Sequence, residues 1–550
     1  MSRNATAHFS QVPRADIQRS RWKVNKRVLT TMNAGELVPI YNTEILPGDT
    51  LSIDTSSVVR MATPIFPVMD NCYMDVYFFF VPNRIIWEHW RELNGENRST
   101  YWTQPTEYRV PTVSAPAGGF NKGSLADHME WPTDVGGYVG NALYFRAYVS
   151  VWNEFFRDQN YMPPAYLNVS DVSTPGYAAS GDLWDSITDA VHGGQMLPVS
   201  KYHDYFTSVL PAPQKGNPID IPYFKEELVP VGAFDQTHDS GASGITFEGA
   251  PTGLHALFTG NGEMQVATNT VSYTGSTGNN VPNNLFADLS AVSIGTINEL
   301  RQAFQIQRLL ERDARSGTRY TEILNAHFGV TSPDARLQRP EYLGGKRIPI
   351  NIDQVLQTSA TNEVSPQGNT AAFSLTSDLS SSFTKSFTEH GILLGLACIR
   401  TDHTYQQGLH KRFQRRDRFD YYWPALAHIS EQPVLRSEIL ISADAAKNEQ
   451  VFGYQEAWSE YRYEPSVVTG AFRSNYQGTL DAWHYADYFD GNANVFIADK
   501  EFMAETKVNL DRTLAVSSEL EDQFLCNFEF RNTWVRPMPL FSVPGLIDHF

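Results

Sequence analysis

Cysteine is nearly missing: Cys72, Cys398 and Cys526 are the only three in 550 residues. They are too few and too scattered for a disulfide framework or a zinc site, and the count suits a reducing compartment. Long apolar runs are missing too. "VYFFFV" and "GILLGLACI" fall far short of the about 20 residues a membrane helix needs, and "MSRNATAHFSQVPR" has no apolar core of a secretory signal. The expectation is a soluble protein made in a cytoplasm, without membrane insertion, in which the sequon Asn97-Arg98-Ser99 is a chance match. Charge is sparse at 19% and tilted, with a formal net of −18. Such a surface repels nucleic acid and anionic membranes as a whole, so any contact with DNA has to come from a local patch.

Catalytic signatures are absent as well. Neither G-x-S-x-G nor H-E-x-x-H occurs. "GGKR" at 344–347 ends like a phosphate loop, but Pro340 stands where the first glycine belongs and no Ser or Thr follows the lysine. "DGNANVFIADKE" puts Asp490, Asn492, Asn494 and Glu501 at calcium-loop positions, yet Val495 replaces the glycine of the sharp turn. His403, His410 and His484 have no catalytic company and read as hydrogen-bonded structural residues. No cofactor and no metal are expected, and the chain does not read as an enzyme.

The last absence is local. No Lys or Arg occurs between Lys225 and Arg301, although the chain holds 43 of them. Residues 228–293 inside this gap are rich in Gly, Ser, Thr and Asn. Their only charges are the acids Asp235, Asp239, Glu248, Glu263 and Asp288. A loop of this length is uncommon inside a compact domain, so the segment either forms a small projecting β unit or stays mobile. Its charge keeps it away from polyanions, which makes it an exterior feature.

Basic residues collect elsewhere. Residues 1–27 carry Arg3, Arg14, Arg19, Arg21, Lys23, Lys26 and Arg27 against one acid, Asp16, with no visible period. They read as a flexible basic arm. "KRFQRRDR", with Lys411, Arg412, Arg415 and Arg416 and with Phe413 and Phe419 interleaved, suits phosphate contact with a ring available for stacking. Equally, it suits a cluster that pairs with the excess acids.

What remains is mostly strand. "LVPIYNTEI", the turn signal "LPGD" and "TLSID" follow one another. "CYMDVYFFFVP" is apolar on both faces, with Met74, Val76, Phe78 and Phe80 on one and Tyr73, Tyr77, Phe79 and Val81 on the other. Asp75 is its lone charge, and the strand reads as covered on both sides. "HGILLGLACIRT" is another buried strand, and "FLCNFEFRNTWVRP" alternates Phe524, Cys526, Phe528 and Phe530 against Asn527, Glu529 and Arg531. A helix is predicted at 297–315, with Ile297, Leu300, Ala303, Phe304, Leu310 and Ala314 on one face, lying on the flank of the sandwich. A shorter one is predicted in "NALYFRAYVSVWNEFFRD". The pattern predicts an all-β sandwich whose connections have grown.

At this point the chain resembles a known family. "GELVPIYNTEILPGDTLSID", "NCYMDVYFFFVPNRIIWEHW", "LRQAFQIQRLLERDARSGTRYTEILNAHFGV", "SPDARLQRPEYLGG", "EAWSEYRYEPSVVTGAFRS" and "VPGLIDHF" resemble, in order, the major capsid proteins of the gokushovirus branch of the microviruses, small icosahedral single-stranded DNA phages. The resemblance implies an eight-stranded antiparallel jelly roll with long insertion loops and a few flanking helices, sixty copies of which close a T=1 shell around the genome. It implies an insertion that protrudes at the three-fold axes, and as partners a small basic DNA-condensing protein, a pilot protein, an internal scaffolding protein and a host surface receptor. The expected layout is a basic arm at 1–30, frame at 31–227, protrusion at 228–293, and frame again at 294–550. Expected DNA contacts are Arg14, Arg19, Arg21, Lys23, Lys26, Arg27, Lys411, Arg412, Arg415 and Arg416. Expected subunit contacts are Tyr73, Tyr77, Phe79, Trp458, Tyr461 and Tyr463, and the acids Asp235, Asp239, Glu248 and Glu263 face the host. The residues alone leave open a jelly-roll protein that binds or cleaves carbohydrate, and a phage spike.

Overall fold

A computed structural model describes residues 17–96, 107–173, 194–217, 219, 231–233, 258–260, 263–265, 285–287, 297–316, 320–329, 338–359, 366–491 and 496–541. Antiparallel β-sheet dominates, with few helices. Eight strands carry the frame: β1 (Ser20–Met32), β2 (Val38–Ile45), β3 (Thr50–Met61), β4 (Cys72–Pro82), β5 (Glu341–Pro349), β6 (Thr376–Ser386), β7 (Gly391–Thr401) and β8 (Phe524–Arg536). They form two four-stranded sheets, in the orders β1-β8-β3-β6 and β5-β4-β7-β2.

Period-two patterning explains why these sheets face each other. Leu51, Ile53 and Val59 of β3 and Phe524, Cys526, Phe528 and Phe530 of β8 point to one core with Met74, Val76, Phe78 and Phe80 of β4. Burying a large side chain such as each of these phenylalanines contributes roughly 1.5–3 kcal/mol. The turn between β2 and β3 is set by Asp49, whose carboxylate accepts from the Leu46 N–H at 2.9 Å, and by Gly48 at φ +91°.

The opposite face of β4 is apolar for a second reason. Phe79 and Val81, with Leu394, Leu396 and Cys398 of β7, meet another core built from the long connections. One connection leaves β4 and contributes α1 (Leu143–Val151), Trp87 and Trp152; the other leaves β7 and contributes Phe452, Phe502 and Met503. The register Pro82↔Gly391 and Thr401↔Cys72 starts these connections at opposite ends of the same strand pair. Both pack on the second sheet. Among the described residues the outward face of the first sheet stays open, with Leu29, Val58 and Leu525 exposed on it.

The observed elements bear on two expectations. The basic arm cannot extend to residue 27 or 30, because from Ser20 onward the chain is β1, paired along its length with β8. β1 is an edge strand, and edge strands tolerate outward Lys and Arg that discourage further pairing. The predicted helix is present as α2 (Ile297–Ser316). The chain divides into two compact units, and α2 falls in the one made of residues 214–316 and 326–329. A bond from the Lys215 N–H to the Leu310 carbonyl, 3.4 Å, ties it there. Ile297 and Phe304 of its predicted apolar face are exposed, while Ala314 is buried. In the same unit Val231–Ala233 pairs with Leu285–Ala287, and Phe258–Gly260 pairs with Glu263–Gln265.

Candidate nucleic-acid and assembly surfaces

Alternation along β1 sorts the basic residues that the sequence grouped together. Arg21, Lys23 and Arg27 lie on the open face, opposite Val535, Thr533 and Glu529 of β8. Lys26 lies on the other face, where it pairs with Glu130 and sits 5.1 Å above the Tyr41 ring. It is engaged with Glu130 within the chain. Arg19 precedes the strand and is exposed, and Arg14 lies outside the described residues.

The open face extends across the sheet. Arg531 stands opposite Asp54, and Leu525 opposite Arg60. With Arg21, Lys23, Arg27, Arg531 and Arg60 against Asp54 and Glu529, the strand positions of this face carry five cations and two acids, with Asp522 bonded to Thr31 at its edge, in a chain whose net charge is −18. Glu529 is 3.4 Å from Arg531 and directly across from Arg27, so the field is strongest at Arg21 and Lys23. Successive open-face residues on one strand are about 7 Å apart. No ring stands among these positions, so the face can hold phosphates but cannot stack bases.

The expected subunit contacts separate as well. Phe79 is buried at 1% exposure in the second core, packed 4.8 Å from Phe155, so its surface is used inside the chain and it is not an interface residue. Tyr77 is partly buried, with its hydroxyl 2.7 Å from Arg400. Tyr73 is half-buried beside Arg347. Sequence reasoning left Asp75 unexplained. Its carboxylate accepts from Arg400 at 2.6 Å, Arg347 at 2.9 Å and Tyr202 at 2.7 Å, which pins β4, β5, β7 and the Tyr202 loop together. Burial pushes the Asp75 pKa up, but those donors outweigh it and hold the group below its ordinary value. A lone acid in an apolar strand was the available signal.

His403 is likewise structural. Its Nδ1 is 2.8 Å from Asp487 and its Nε2 is 3.0 Å from Glu505, with Lys201 3.8 Å from Asp487, all buried. Burial opposes the imidazolium, yet Glu505 and Asp487 win and raise its pKa to about 10.

Residues 411–423 and the "AWSEYRYEP" stretch, distant in sequence, come together. Arg415 is 2.8 Å from the buried Glu460 and lies 4.0 Å over the Tyr461 ring. Tyr422 packs 5.8 Å from Trp458 and donates its N–H to the Tyr461 hydroxyl at 3.2 Å. Tyr463 stacks on Tyr205 at 5.1 Å. Arg415 is thus removed from the DNA set, and Lys411 reaches the Pro433 carbonyl at 3.4 Å. Arg412 and Arg416 remain exposed. Of the acids expected to face the host, Asp235, Asp239 and Glu248 lie outside the described residues, and Glu263 opens the strand Glu263–Gln265.

Two opposed sheets, with one face covered by insertions and one left open and basic, suit a tiling subunit. A family model described as "Capsid protein (F protein)" matches residues 10–546. The chain belongs to this capsid-protein family. It is 40% identical over 560 residues to capsid protein VP1 of Bdellovibrio phage phiMH2K, covering 100% of the chain and 99% of that protein. It is 38% identical over 587 residues to capsid protein VP1 of Chlamydia phage 1, with 98% and 97% covered. To capsid protein VP1 of Spiroplasma virus 4 it is 39% identical over 555 residues, with 99% and 98% covered. As a microvirus-type phage capsid protein it is a constituent of the virion and a structural protein. Membership in the family sets aside the carbohydrate and spike readings. Among the described residues, no helix is long and apolar enough to cross a membrane.

Proposed function

We propose that this capsid protein closes into a T=1 shell of sixty copies around a circular single-stranded DNA genome, on a jelly-roll frame. The strand orders β1-β8-β3-β6 and β5-β4-β7-β2 support that frame, because they interleave the first and last strands as two nested Greek keys do. The observation that carries the reading is charge segregation. A net-positive open sheet face stands in an acidic chain, while a separate unit contains the Lys- and Arg-free residues 226–300. The open face, with Arg14 and Arg19 before it, meets the genome inside; residues 228–293 meet a host receptor outside, as the protrusion at the three-fold axes.

Sixty such faces hold a few hundred positive charges at most, against thousands of phosphates in a genome of ordinary phage size. Packaging therefore needs another polycation, which is the role of a small basic DNA-condensing protein. A pilot protein and an internal scaffolding protein complete the assembly. Substituting Arg21, Lys23 and Arg27 together by Ser tests the DNA contact. Particles should form but hold less DNA, or release it at lower salt. Unchanged DNA content and salt sensitivity would sink the assignment.

A further inference from the structure

We infer that residues 411–423 form a subunit-to-subunit contact that seats the acidic knob around Leu520 of a second copy. The segment is unusual for a folded surface. Phe413, Phe419, Tyr421, Tyr422 and Trp423 are all exposed, Phe419 to 72%. Arginines stiffen it from within: Arg412 lies 4.9 Å over Phe413 and Arg418 lies 4.8 Å over Trp423. Asp420 accepts from the Arg416 and Asp417 N–H groups at 2.8 Å each, fixing the turn.

Charge decides between the two occupants such a surface could take. Lys411, Arg412, Arg415, Arg416 and Arg418 are offset locally by Asp417, Asp420, Glu460 and Glu464, which leaves a net of +1. A phosphate-binding groove, which needs many unoffset cations, gains little from that balance, whereas one pair of acids needs only the two exposed cations Arg416 and Arg418. Rigid, nearly neutral clusters of Tyr, Trp and Arg are instead the composition of protein–protein hot spots.

A complementary surface exists on the same chain. Leu520 is 84% exposed between exposed Glu519 and Glu521, and Val516, four residues earlier, is exposed as well. The knob is held in shape by Asp511, which accepts from the Ser518 N–H at 2.9 Å and hydroxyl at 2.6 Å. Exposure of both surfaces means that neither covers the other within one chain. Every copy carries both halves, and such a head-to-tail contact closes rings about a symmetry axis.

This contact rests on the shell reading. The test is the yield of closed particles, by sedimentation and electron microscopy, from cells producing the full chain with its phage partners. Arg416→Glu with Arg418→Glu should lower the yield about tenfold, the equivalent of one strong charge pair. Adding Glu519→Lys and Glu521→Lys to the same chain should restore it. Leu520→Asp, at a side chain too exposed to affect folding, should reproduce the loss. Undiminished yield, or a loss the compensating reversal does not repair, overturns the contact. Full yield with less packaged DNA overturns it in favour of a nucleic-acid contact. Failure of the unaltered chain to form closed particles overturns the shell reading itself.

Discussion

Asp75 offers the sharpest test of how the frame is held. Its side chain is 3% exposed and binds two guanidinium groups that differ in their access to water: Arg400 is 12% exposed and Arg347 is 51% exposed. When the carboxylate is removed, Arg347 can turn to solvent but Arg400 cannot. Breaking a buried pair on one side costs about 3–5 kcal/mol. The hydration open to Arg347 puts Asp75→Ala at the lower end, about 3 kcal/mol, and Asp75→Asn, which keeps the volume and one acceptor, somewhat below that. Arg347→Ala should cost less than about 1 kcal/mol, since Asp75 keeps Arg400. Denaturant unfolding of dissociated subunits measures all three. The pH dependence has a fixed sign. Because the folded pKa is depressed, the carboxylate contributes fully above its ordinary unfolded value, and the contribution disappears as pH falls through the lower folded value. The gap between parent and Asp75→Asn should therefore be constant through neutrality and close only in strong acid. Equal losses for Asp75→Ala and Arg347→Ala, or a loss below 1 kcal/mol for the former, would refute the reasoning.

Other predictions follow from the same geometry. Phe78→Ala and Phe79→Ala should each destabilise the subunit by about 3–5 kcal/mol, since the two rings fill different cores; a mild effect for Phe79, read by thermal unfolding, would return it to the interface set. His403 has a raised folded pKa, so its stabilisation is complete below its ordinary value near neutrality and is lost as pH rises through about 10. Parent and His403→Gln should thus differ in unfolding midpoint at pH 7 and converge above pH 10. Ala233 and Leu285 are paired partners, so replacing residues 234–284 by a tight turn should leave particle yield intact and abolish host attachment in a binding assay. Loss of assembly would make that segment structural.

Legibility in the sequence depended on how strongly burial patterns each element. β4 reads correctly because two cores demand apolar residues on both faces, and β8 because one face is buried and the other is solvated. The same fact misdirects the site reading: a second apolar face suggests a neighbouring subunit, but for Phe79 the neighbour is the chain's own insertion. β1 is hidden because its core-facing positions include Lys26 and Thr30, so alternation is blurred at an edge strand. The helix at Ile297–Ser316 is legible from its period, yet which face is covered depends on packing that no periodicity specifies. "KRFQRRDR" looks basic only until Glu460 and Glu464, far along the chain, are brought beside it.

An intact-particle reconstruction at side-chain detail, from cryo-electron microscopy, bears most directly on the whole account. It should resolve a closed shell whose inner wall is the β1-β8-β3-β6 sheet, with Arg21 and Lys23 toward the DNA and residues 228–293 outermost. That sheet turned to the solvent, or residues 228–293 lining the lumen, would contradict it.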